Sequence, residues 1–307
     1  MTISPFTATA VAATGAMLFA RKQTLDSSEV NLIHAKDSVE VCEGKTLVDI
    51  VKAECPSLAD PAQAKFVPTA MLPNTHLMTC FNSVKSQFMR VRMVKYEREL
   101  INTEDGGTIG LDWSPPFSQM PEDDRPIVLL SHGLSGGSQE EYVQQTVKVL
   151  TSAPYNFRTV VVNFRGCAGV PLTTPVLYNA GFTSDYGFAV SHVQKRFPQS
   201  KLAAVGFSLG ANLITKFVGE QGENCPLKAA VSVCNPYDLY ESTLCIERPK
   251  FSSQNIYTPA MLLGLKRIIA RHREMMETSS VKIDFDALDN IKRISQFDDI
   301  ITSQVFG

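Results

Sequence analysis

A serine between two glycines, Gly206-Phe207-Ser208-Leu209-Gly210, closes a short apolar run in AAVGFSLGANLITKFVGEQG. Glycines at those two places leave room for a sharp strand-to-helix turn that lifts a serine hydroxyl clear of the backbone, the setting of a nucleophilic serine. A serine hydroxyl is a weak nucleophile at neutral pH and needs a base within hydrogen-bond reach, usually a histidine oriented by a carboxylate. In folds with this turn the acid and then the histidine follow the serine in the chain. Residues 209–307 follow Ser208, and His272 is the one histidine among them.

The second chemical segment is SHGLSGGSQEEY, residues 131–142, after another apolar run. A glycine-rich loop there supplies one backbone N–H of an oxyanion hole, and the residue after the nucleophile supplies the other. By position the two donors are Leu134 and Leu209. A phosphate-binding loop is the competing reading, but the segment lacks G-x-G-x-x-G and a Walker lysine, so no cofactor is expected. His132 is expected to pin this loop rather than act as the base.

Other polar residues fall at the ends of apolar runs. Arg165 in NFRGCAGVPLTTP suits a guanidinium that ties loops together. Asp185 in TSDYGFAV suits a helix cap or first-turn acid. Asp238 in NPYDLY is a weak candidate for the triad acid. His272 lies in KRIIARHREMME, where neighbouring arginines disfavour an imidazolium, so a solvated helix position is the first expectation and the base role the weak one.

Composition narrows the function classes. The 307 residues are 44% hydrophobic and 20% charged with a net charge of −2, which suits a globular enzyme and gives no hint of nucleic-acid binding. Seven cysteines without a C-x-x-C spacing, and the absence of any N-x-[ST] acceptor, point to reduced thiols in an intracellular protein and to no metal site. An apolar stretch at 5–20 is either a weak membrane anchor or targeting segment, or a packed or disordered tail.

These residues need elements to hold them. KTLVDIVKAECPSL predicts a short leading helix, SQFMRVRMVKYEREL (86–100) a half-exposed strand, and TIGLDW its hairpin partner. From 126 onward β-branched runs (PIVLLSHG, FRTVVVNFRG, KLAAVGFS, KAAVSVCNP) alternate with helical segments (SQEEYVQQTVKVLTSA, TSDYGFAVSHVQKRF, ANLITKFVGEQG). That rhythm predicts a mostly parallel, doubly wound sheet entered through an antiparallel hairpin. After Pro236 the segments are helical and charged, predicting a helical cap. The apolar stripe PAMLLGLKRII either lines an acyl tunnel or packs on the sheet. The expected organisation is an N-terminal segment (1–85), an α/β core (86–236) and a cap with the start of a further part (237–307).

Several motifs, in order, resemble AB hydrolase family 4. They are LPNTHLMT, which departs from that family's Asn-Gly-His-Leu-Gln-Thr, then EDGGTIGLDW, HGLSGGSQEEYV, NFRGCAGVPLTTPVLYNAGFTSD, GFSLGANLITKFVGE, SVCNPYDLY and QFDDIITSQVFG. The resemblance implies an α/β-hydrolase fold and a serine hydrolase acting on medium- or long-chain fatty acyl esters such as acylglycerols. It also implies a capacity to pass the acyl group to a short alcohol, and a possible membrane or lipid-droplet surface as the working place. In that family the FD…FG segment is followed by an N-x-x-DD acid and a Gly-Gly-His base. The chain ends at Gly307, so the resemblance implies a C-terminally truncated product whose triad partners and last strands are missing, with an exposed apolar edge. A non-catalytic binding protein of the same fold is the alternative.

Overall fold

A computed structural model describes residues 28–42, 44–67, 72, 74–88, 92–120 and 123–306. The apolar stretch at 5–20 lies outside them. The chain divides into two compact units, Met1–Met89 and Arg90–Gly307.

In the first unit a short antiparallel ribbon, Glu40–Cys42 with Lys45–Thr46, leads into a helix at Leu47–Glu54. Thr46 and Asp49 cap this helix reciprocally, and Pro56 begins a separate short turn of helix. A further helix spans Thr75–Phe88. It overrides part of the strand expected over 86–100, which begins only at Glu97. The apolar–charged alternation before Glu97 serves another purpose. The Met93 N–H donates to the Gln144 side chain at 2.8 Å, while Val94, at a bend, and Tyr96 pack on the core outside any strand.

The second unit is built on six strands: β1 Glu97–Asn102, β2 Thr108–Ser114, β3 Ile127–Ser131, β4 Arg158–Asn163, β5 Leu202–Phe207 and β6 Leu227–Val233. Their order across the sheet is β1-β2-β4-β3-β5-β6. The β1–β2 hairpin is antiparallel, β2 runs antiparallel to β4, and β4, β3, β5 and β6 are parallel. This is the mostly parallel α/β-hydrolase sheet with a leading antiparallel hairpin.

Three helices alternate with the strands: α1 Glu141–Thr151, α2 Ser184–Arg196 and α3 Leu209–Gln221. Successive side chains of a strand point to opposite faces, and β3 shows the consequence. Val128 and Leu130 meet Val143 and Val147 of α1, whereas Ile127 and Leu129 belong to the larger cluster with Trp113, Val190 and Ile214. Both faces of the central strands are therefore covered, as continuous apolar runs require.

After β6 the described chain is helical: α4 Leu239–Glu247, α5 Thr258–Arg271, α6 Arg273–Thr278, α7 Phe285–Asn290 and short turns to Phe306. Leu262, Leu265, Ile268 and Ile269 of α5 join the larger core cluster. Strand β6 forms an open edge on which Ala229, Ala230 and Val231 are exposed, Val231 at 53%. No helix among the described residues is long and apolar enough to cross a membrane.

Candidate active site

Ligands of open α/β sheets bind beyond the carboxyl ends of the strands, and there Ser208 and the glycine-rich loop meet. Strand β5 ends at Phe207 and α3 begins at Leu209, so Ser208 is the turn itself, exposed and with φ 53° and ψ −117°. A serine in that region is strained, a state that surrounding structure must enforce. The Ser208 N–H donates to the Val233 carbonyl of β6 at 2.9 Å. The flanking glycines are fixed by contact. A methyl on Gly206 would stand 2.5 Å from the Gly210 carbonyl oxygen, and one on Gly210 would stand 2.6 Å from the backbone oxygens of Ser131 and His132.

The second contact of Gly210 brings the glycine-rich loop alongside the turn. A methyl on Gly133 would approach the Ser208 Cβ to 3.4 Å. His132 is fully buried with its Nδ1 2.8 Å from the Gly133 carbonyl, and its Nε2 faces the Phe164 N–H at 3.4 Å. The tautomer protonated on Nδ1 satisfies both contacts. Burial holds this imidazole down to about 4, against the opposing pull of the Gly133 carbonyl and Asp112. His132 thus pins the loop as a neutral ring.

The rest of the loop is held from several sides. Gly133 N–H donates to the Tyr142 hydroxyl at 3.0 Å and Ser135 N–H to the Tyr178 hydroxyl at 2.9 Å. Ser138 N–H donates to the Asn163 side chain at 2.9 Å, and its hydroxyl donates to the buried Asp112 carboxylate, which is also paired with Arg98 at 2.6 Å. The N–H groups of Leu134 and Leu209 make no hydrogen bond among the described residues.

Leu134, Ser208 and Leu209 line one cavity of about 560 Å³, a size within the range of small-molecule sites. Its walls are largely apolar and include Met261, Leu265, Ile268 and Ile269 of α5. Of the stripe PAMLLGLKRII, Leu265, Ile268 and Ile269 both line the cavity and pack in the core. Asn179, Asp298 and Thr302 supply polar groups to the same cavity. Burial raises the Asp298 carboxyl while its Thr302 hydrogen bond opposes the shift.

The remaining candidates sit elsewhere. Asp238 caps α4 by accepting the Glu241 N–H at 2.9 Å. His272 is not a solvated helix residue. It ends α5 with its ring against Gly166 and its Nε2 buried; burial lowers its pKa and repulsion from Arg271 adds to this, while the contact with the Gly166 backbone opposes the shift. It does not line the Ser208 cavity. Arg165 is fully buried and binds Asp185 and Asp105, each at 2.6 Å, which joins the β1–β2 turn to α2. Burial works against its charge, but the two carboxylates outweigh that and keep the guanidinium ionised. Asp185, in the first turn of α2, is its buried partner.

Sequence reasoning missed Tyr142, Tyr178 and the polar cavity residues Asn179, Asp298 and Thr302. Tyr142 follows the glycine-rich loop closely enough to have been suspected. The others carry no local signal, since their meaning comes from the folded neighbourhood.

No family model matches the chain. It is similar to Saccharomyces cerevisiae monoacylglycerol lipase, 31% identical over 300 residues that cover 85% of this chain and 66% of that protein. It is 35% identical over 241 residues to the embryogenesis-associated protein EMB8 of Picea glauca, covering 76% of this chain and 51% of the relative. Bos taurus phospholipase ABHD3 is 33% identical over 218 residues, 70% of this chain and 51% of its own length. The chain thus spans from half to just under two thirds of these relatives.

Proposed function

The chain belongs to the α/β-hydrolases of the AB hydrolase family 4 type, and from that premise we propose that it is a serine hydrolase of fatty acyl esters such as acylglycerols. The observation that supports this is that Ser208 lines one apolar cavity together with Leu134 and Leu209, whose amides make no hydrogen bond among the described residues. In the proposed reaction the Ser208 Oγ bonds to the acyl carbon, its proton passes to a base, and the carbonyl oxygen gains charge that the two amides stabilise. Collapse expels the alcohol, which takes up a proton. Water then bonds to the acyl carbon and releases the fatty acid and Ser208. A short alcohol in place of water gives an ester by the same steps. Medium or long acyl chains fit the Met261 and Leu265 wall better than acetyl groups. The working place we infer is a lipid surface.

Specific placements favour a second reading, a ligand-binding protein of the same fold. Asp238 is engaged as a helix cap and His272 rests on Gly166, so neither prepares Ser208. The test is to supply a medium-chain monoacylglycerol with and without ethanol and to measure fatty acid and ethyl ester. Hydrolysis or ester synthesis abolished in Ser208→Ala supports the enzyme. Tight binding of the fatty acid with no turnover, identical in Ser208→Ala, supports the binding protein.

A further inference from the structure

Leu134 stands between two residues whose amides are both taken by tyrosine hydroxyls, Gly133 by Tyr142 and Ser135 by Tyr178. The two tyrosines come from different parts of the chain, and each is anchored separately. Tyr142 lies in the first turn of α1, with its ring 4.8 Å from that of Phe207, the residue preceding Ser208. Tyr178 lies in the loop after β4, stacked on Phe164 at 5.0 Å, and its hydroxyl also pairs with the buried Cys167 thiol. On the Ser135 side, α5 approaches so closely that a methyl on Gly264 would overlap the Ser135 hydroxyl.

A glycine-rich loop has several amides that could turn toward a developing oxyanion, and an oxyanion donor is effective only when held in place beforehand. We propose that Tyr142 and Tyr178 are positioning residues: by occupying the amides on either side, they leave the Leu134 N–H as the free donor between them and fix its direction toward Ser208. Tyr142 does this while touching the neighbour of Ser208, so the loop and the serine turn are set by one side chain. The inference rests on the assignment of Ser208 as nucleophile. It adds two residues whose hydroxyls act on the rate of attack through the Leu134 amide, although the Tyr178 side chain also lines the cavity.

Replacing tyrosine by phenylalanine keeps the ring packing and removes only the hydroxyl. Tyr142→Phe, Tyr178→Phe and the unaltered 307-residue chain are treated with a p-nitrophenyl medium-chain alkylphosphonate, whose phosphoryl oxygen occupies the oxyanion position. Amide exchange at residues 133–135 is followed by NMR in the same three proteins. The expected result is that the saturating rate of Ser208 modification falls roughly tenfold to a hundredfold in each variant, since small misplacements have effects of that order. The half-saturating concentration stays within about twofold, the split expected when only transition-state contacts are lost. In the unaltered chain Gly133 and Ser135 exchange slowly and Leu134 fast, and each variant shifts the Leu134 resonance. Unchanged modification rates in both variants, or a Leu134 amide as protected as its neighbours, overturn the inference. Should Ser208 of the unaltered chain fail to react at all, the hydrolase assignment falls by itself. The amide signals then decide alone, and a Leu134 resonance unmoved in both variants overturns the positioning role.

Discussion

Gly210 touches the backbone of His132 so closely that a single added methyl would stand 2.6 Å from the His132 carbonyl oxygen. Through this contact the first turn of α3 sits directly on the glycine-rich loop, which holds the Ser208 turn against the segment that carries Leu134. Gly210→Ala should therefore cost about 1–3 kcal/mol, the usual penalty of overpacking. It should also slow the reaction of Ser208 with an organophosphonate. Urea melts and adduct formation on the same protein check both, and a variant with unaltered stability contradicts the packing described.

The His132 ring gives a pH dependence with a defined sign. Its pKa is lowered to about 4 in the folded chain by burial, while an unfolded histidine titrates near 6.5. Between those values the unfolded chain binds more protons. Stability is therefore complete above about pH 6.5, falls as the pH drops toward 4, and changes no further from this group below that. The full effect is about 3 kcal/mol as an upper bound. Asp105, held below the usual carboxylate range chiefly by Arg165, adds its loss only at lower pH. Urea midpoints at about pH 7 and about pH 4.5 test this, with His132→Gln as the comparison whose pH slope should flatten. Equal midpoints for the unaltered chain would refute the buried neutral ring.

Much of this arrangement was legible in the sequence. The four parallel strands were visible because central strands of a doubly wound sheet are buried on both faces and so read as unbroken β-branched runs, as in Ile127–Ser131 and Arg158–Asn163. Gly206 and Gly210 were legible because only a residue without Cβ fits there. Where local pattern and tertiary setting diverge, legibility ended. The alternation before Glu97 looked like strand, but its groups are paired by the Gln144 side chain and core packing. Tyr178 reaches Ser135 across 43 positions, a separation at which no spacing rule operates. His272 looked solvated from its arginine neighbours, yet its environment is set by Gly166 from a distant loop.

Met261 is half-buried on the cavity wall and absent from the core cluster, so a larger side chain there narrows the cavity without emptying the core. Met261→Trp should slow Ser208 modification by a long-chain alkylphosphonate by about tenfold or more, the scale on which pocket contacts discriminate. Modification by a methylphosphonate should be little affected. Equal effects on both probes would show that the acyl chain lies elsewhere.

The β6 edge carries exposed Ala229, Ala230 and Val231 with unpaired backbone groups, the pattern that templates edge-to-edge association. The isolated chain should therefore self-associate with rising concentration, and Val231→Lys should suppress this while leaving the melting temperature within a few degrees. Light scattering of the two proteins decides it, and identical scattering curves would exclude this edge as the contact.

The central claim is that Ser208 is an activated nucleophile, and covalent trapping tests it most directly. The chain is incubated with a fluorophosphonate at neutral pH, digested, and mapped by mass spectrometry beside Ser208→Ala. The predicted result is a single adduct on the peptide containing Ser208, lost in Ser208→Ala. A folded protein whose Ser208 reacts no faster than its other serines would contradict it.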